Sequence, residues 1–151
     1  MGACLRAPTG PYGRIVHLIT HRASVRREVQ IRRSAGTVWE LVGDPARIHE
    51  WFPGIDSCSV DGDERVVTLG SGQAVTEKII TLDPLQRRFQ YVMNFPLCRE
   101  HLGTLDVIEL DEQSCLVVYG TDADPATMAL TIGGATGAAL ENLRDMLEGG
   151  D

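Results

Sequence analysis

Hydrophobic positions along the chain switch period three times. Ser24–Arg33 alternates, with Val25, Arg27, Val29 and Ile31 sharing one face, and this predicts a strand with a polar outer side. Helical spacing follows. Ser34 is a candidate N-cap, Val38, Trp39, Leu41 and Val42 form a short apolar stripe, and Gly43 ends it. Asp44-Pro45 predicts a second short helix through about Glu50, closed by Trp51-Phe52-Pro53-Gly54. Alternation then returns in six segments: Ile55–Asp61, Glu64–Leu69, Gln73–Leu82, Arg87–Asn94, Arg99–Leu110 and Ser114–Thr121. The breaks between them are short and rich in Gly, Asp and Pro, which predicts an antiparallel meander.

The last stretch returns to the helical period. Asp124 is an N-cap candidate with Pro125 at the first helical position, and Met128, Ile132, Leu140, Leu143 and Leu147 form one stripe before Gly149 and Gly150. Its middle is unusual, because Thr131, Gly133, Gly134, Ala135, Thr136, Gly137, Ala138 and Ala139 are nearly all small. Each helical glycine costs on the order of 1 kcal/mol against alanine. Either another backbone approaches closely here, or the helix covers a space that bulky side chains would fill. The predicted fold is α+β: a curved antiparallel sheet of about seven strands wrapped around this long C-terminal helix, with two short helices between strands 1 and 2. Such a sheet has one face to bury and one large element to cover it, so the space between them is a natural cavity.

Composition adds limits. A chain of 151 residues with 43% hydrophobic and 23% charged residues suits one globular domain. Its net charge of −7 argues against nucleic acid or an anionic membrane as the main partner. The first 27 residues nonetheless carry five arginines and no acid. Residues 1–24 are expected to be a disordered extension and 25–151 the domain. The apolar run Ile15–Thr20, interrupted by His17, is too short for a signal core or a membrane-inserting span. Cys4, Cys58, Cys98 and Cys115 show no C-x-x-C spacing, so reduced thiols in a cytoplasmic protein are expected.

The order of elements, Val38-Trp39 in the first helix, Trp51-x-Pro53 after the second, Thr76-Glu77-Lys78-Ile79 with Leu82-Asp83, and Leu102-Gly103-Thr104-Leu105 together resemble the START/birch-pollen-allergen (helix-grip) superfamily. Within it, the chain is similar to polyketide cyclase/dehydrase and lipid-transport proteins, including bacterial MxaD-like members, and more distantly to plant abscisic-acid receptors. The resemblance spans about Val25 to Glu148 and implies a cavity for a hydrophobic or amphipathic small molecule. It implies a cavity-facing glutamate at Glu77 and a gate loop at Gly70, Ser71 and Gly72. By composition and position, the Phe95–Cys98 loop with Pro96 and Leu97 is expected to act as a second gate. The receptors' tyrosine position falls at His101. Their basic residue has no clear match, since Arg65 fits that place poorly, and a carboxylate-binding role does not carry over.

The residues themselves offer two candidates for chemistry. Glu77 shares a face with Val75 and Ile79, which puts its carboxylate inside unless the alternation slips and leaves it beside Lys78. A buried carboxylate must be hydrogen-bonded, paired or protonated. His101 shares its parity with Gly103, Leu105 and Val107, and a histidine in a cavity could exchange protons near pH 7. Glu77 and His101 together would make an acid/base pair for cyclisation or dehydration. The plainer reading of His101 is a packed rim histidine. Tyr91, Trp51, Thr131, Ala135 and Ala139 complete the expected lining, with core packing favoured for Trp51. No spacing suggests a metal or cofactor site. Three functions remain open: a non-catalytic binder or carrier acting as monomer or homodimer, an enzyme of cyclase/aromatase/dehydratase type, and an interaction module with a collapsed cavity.

Overall fold

Residues 22–149 are described by a computed structural model; Cys4, His17, His21 and most of the expected 1–24 extension lie outside the described residues. Strand β1 runs Ala23–Ile31, starting two residues ahead of the expected domain boundary. Helix α1, Ala35–Val42, begins where Ser34 Oγ accepts a hydrogen bond from the Thr37 amide at 3.2 Å. Asp44 likewise accepts from the Ala46 amide at 3.0 Å, and Pro45–Arg47 forms a 3₁₀ turn leading into α2, Ile48–Trp51. The strands β2 (Ile55–Asp61), β3 (Glu64–Leu69), β4 (Ala74–Asp83), β5 (Arg88–Asn94), β6 (Glu100–Asp111) and β7 (Ser114–Asp124) follow, and α3 spans Ala126–Glu148.

All seven strands form one antiparallel sheet in the order β1-β7-β6-β5-β4-β3-β2. This is the meander read from the sequence, closed by β1 pairing with β7. The fold is therefore the expected α+β arrangement.

Helix α3 starts one residue later than expected. Asp124 is still in the ladder, paired with Glu100, and its carboxylate accepts from Arg99 Nε at 3.1 Å instead of capping the helix. Pro125 occupies the N-cap position.

The glycines of α3 have two different explanations. A Cβ at Gly133 would lie 2.5 Å from Val25 Cγ1, and one at Gly137 would crowd the Arg27 side chain. Arg27 Nε also donates to the Gly133 carbonyl at 3.1 Å. These two glycines let the helix approach β1 closely, so they face a strand and not the cavity. Gly134 meets nothing within 4 Å. Ala129, Gly133, Thr136, Ala139, Leu140 and Leu143 form the buried face of the helix, whereas Met128, Ile132 and Leu147 are only half-buried. Leu140 and Leu143 belong to the main core with Ile31, Val38, Phe89, Leu105 and Val117.

Gly133→Ala should destabilise the fold by about 1–3 kcal/mol through overpacking against Val25. Gly134→Ala, at an open helical position, should instead stabilise it by up to about 1 kcal/mol. Urea denaturation of the two variants reads both signs.

Candidate functional site

Helix α3 lies tightly over β1 and β7 and stands farther from the other half of the curved sheet. A cavity of about 270 Å³ occupies the intervening space. Its floor comes from alternate residues of four strands: Val67 and Leu69 on β3, Val75 and Glu77 on β4, Tyr91 and Met93 on β5, and His101 on β6. The N-terminal half of α3 roofs it with Met128, Thr131, Ile132 and Ala135, while Phe95, Ile48 and the Phe52–Ile55 turn close the sides. The lining is predominantly apolar.

Glu77 faces inward and is 5% exposed. Beneath it lies Arg65, 2% exposed, the residue that fitted the family's basic position poorly in sequence. Arg65 Nε donates to Glu77 Oε2 at 2.6 Å, and Nη2 lies 2.5 Å from the same oxygen. Arg65 Nη1 donates to the Pro45 carbonyl at 3.3 Å, and the guanidinium sits 5.0 Å from the ring centroids of both Phe89 and Tyr91. Burial pushes the Glu77 carboxyl above its ordinary value, and Arg65 pulls against that rise. Arg65 itself stays protonated: burial is the largest influence and works against its charge, but Glu77, Tyr91 and Tyr119 together hold its pKa above the ordinary value. The pair was legible in retrospect. Arg65 has the parity of Val67 and Leu69, and counting back from the Gly70–Gly72 turn sets it directly opposite Glu77.

His101 is 7% exposed, and neither ring nitrogen has a hydrogen-bond partner among the described residues. Its ring lies 5.3 Å from that of Tyr91. Burial lowers its pKa from 6.5 to about 4, with Asp122 opposing. It is therefore neutral at pH 7. Tyr91 is occupied: its hydroxyl shares a 2.7 Å hydrogen bond with that of Tyr119, and burial pushes both phenols upward, Tyr119 to about 12.

The cavity thus brings together Glu77, His101, Val75, Tyr91, Thr131 and Ala135. Other expected residues are placed elsewhere. Gly103 lies under Tyr91, whose ring occupies the space a Cβ would need. Trp51 is 3% exposed and packs on Phe52 and Tyr119 in the core, as do Leu105, Ala139 and, partly, Ile79. Gly70, Ser71, Gly72, Pro96 and Leu97 are not in the wall, although Leu69 and Phe95 beside them are. Residues missed in sequence, such as Met93 and Phe95, carry no chemical signal beyond being apolar. Cys58 and Cys98 are half-buried and Cys115 is buried, all as free thiols. Among the described residues, no cluster of His, Cys, Asp or Glu could hold a metal ion, and no helix is long and apolar enough to cross a membrane.

A curved sheet gripping a C-terminal helix around an apolar cavity defines a helix-grip protein of the Bet v 1-like kind. The chain belongs to the polyketide cyclase/dehydrase and lipid transport family, whose model matches residues 22–148. Among solved structures it is similar to XoxI from Bacillus cereus, with 21% identity over 83% of this chain and 95% of that one and a TM-score of 0.79. It is also similar to norcoclaurine synthase from Thalictrum flavum in complex with dopamine and hydroxybenzaldehyde, with 15% identity, 100% and 99% coverage and a TM-score of 0.67. The di-domain ARO/CYC BexL shares 18% identity over 81% of this chain and 45% of its own, with a TM-score of 0.70. No curated protein matches the chain.

Removing one member of the buried pair, as in Arg65→Met, should cost about 3–5 kcal/mol, because it strands the other charge. Arg65→Met combined with Glu77→Leu should recover much of that loss in a denaturation double-mutant cycle. The histidine gives a pH signature. Its folded value is depressed, so its contribution to stability is present above about 6.5 and is lost as pH falls toward about 4. His101→Leu should remove up to about 3 kcal/mol of that acid-side loss, read as a flatter stability profile between those pH values.

Proposed function

We propose that this protein binds or carries a hydrophobic or amphipathic small molecule in the cavity between its sheet and C-terminal helix, without transforming it. The observation that carries this reading is the apolar cavity of about 270 Å³ with a fixed polar group at each of two strands, Glu77 and His101. Apolar walls desolvate the ligand's body, and the few polar groups orient it. Family membership supports the same class of ligand. The Gly70–Gly72 and Phe95–Cys98 loops flank the cavity through Leu69 and Phe95 and would serve as its gates.

The enzymatic alternative would use Glu77 and His101 as acid and base. A general base works best with a pKa near the operating pH. His101, lowered to about 4, is a weak one, and the Glu77 carboxylate is held by Arg65 at 2.6 Å. Both features favour binding over turnover, although a synthase and an ARO/CYC protein share the fold. The open space of the cavity likewise weighs against a collapsed interaction module.

Native mass spectrometry of freshly purified protein should reveal a co-purifying apolar molecule that is lost on denaturation. Ala135→Trp, at an exposed helical position bordering the cavity, should leave stability within about 1 kcal/mol but abolish that adduct. An adduct that persists in this variant places the bound molecule outside the cavity.

A further inference from the structure

Four polar side chains border the cavity, and three already have partners. Both Arg65 contacts converge on Glu77 Oε2. The Tyr91 hydroxyl is bonded to Tyr119, and Thr131 Oγ1 donates to the Thr127 carbonyl at 2.9 Å. Of these four, His101 alone has no partner among the described residues, on either ring nitrogen, although it is 7% exposed. A buried polar group left unpaired is destabilising, so a ligand that satisfies it gains affinity. A neutral imidazole offers one donor and one acceptor, which complements a hydroxyl group.

Charge narrows the choice. Arg65 lies behind Glu77 and is already matched to it, so the pair presents no net charge to the cavity. An anionic ligand would bring a second carboxylate toward Glu77 without a free cation, and a cationic one would lose its hydration against Val67, Leu69, Val75 and Met93. Size narrows it again. An apolar cavity of about 150 Å³ accommodates benzene, so about 270 Å³ suits two fused rings or one ring with a short chain. A diacyl lipid does not fit that space.

Resting on the cavity reading above, we infer that the ligand is an uncharged, one- or two-ring alcohol or phenol whose hydroxyl group pairs with His101. The test uses 2-naphthol, naphthalene, 2-naphthoate and 2-naphthylmethylammonium as probes, with affinities from calorimetry or probe fluorescence. The expected result is that 2-naphthol binds about five- to tenfold tighter than naphthalene, the increment of one hydrogen bond. Both charged probes should bind more weakly than naphthalene. His101→Leu should erase the preference for 2-naphthol over naphthalene. If that variant does not fold, His101→Phe replaces it, and the wild-type series is decisive by itself. A charged probe that binds tightest, equal affinity for 2-naphthol and naphthalene, or a preference that survives the variant overturns the inference and leaves the cavity reading standing. Failure of every probe, naphthalene included, overturns both.

Discussion

The buried Arg65–Glu77 pair ties together three strands and the connection between the small helices. From β3, Arg65 reaches Glu77 on β4, the rings of Phe89 and Tyr91 on β5, and the Pro45 carbonyl in the connection between α1 and α2. A guanidinium taken out of water is tolerable only when paired and hydrogen-bonded, and its planar face can also rest on aromatic rings. That requirement fixes the β3–β4 register, since a one-residue slip would turn either charge outward. It also anchors the small helices over one end of the sheet.

The same pair sets the character of the cavity. With Arg65 engaged, Glu77 acts as half of an internal salt bridge, and the cavity around it is electrically balanced and largely apolar. His101 stands differently. Burial keeps it neutral, and no group among the described residues answers its nitrogens. Chemistry that needs a mobile proton near neutral pH is poorly served by such a site, whereas recognition of a polar group on an apolar body is well served.

The cavity exists because the helix is close to the sheet at one side only. Gly133 and Gly137 let α3 settle on Val25 and Arg27 of β1. The sheet then curves away beneath the helix, and its far strands are faced by Met128, Thr131, Ile132 and Ala135 across an open space. Small residues in the helix thus do two jobs. The glycines set the approach, and Thr131 and Ala135 leave room.

Periodicity by itself determined every element of the fold to within a few residues. Alternation and helical spacing are local properties, and Ser34, Asp44 and Gly43 mark helix ends through local hydrogen bonds and sterics. Parity also put Glu77 and His101 on the inner face. Tertiary structure decided the rest. The position of Asp124 depends on a ladder partner at Glu100. Gly103 serves the Tyr91 ring, a contact between strands that no spacing announces. The boundary between core and cavity, which places Trp51, Leu105 and Ala139 in the one and Met93 and Phe95 in the other, follows from how far the helix stands from each strand. That distance is a property of packing and sheet curvature, which the order of residues along one chain does not reveal.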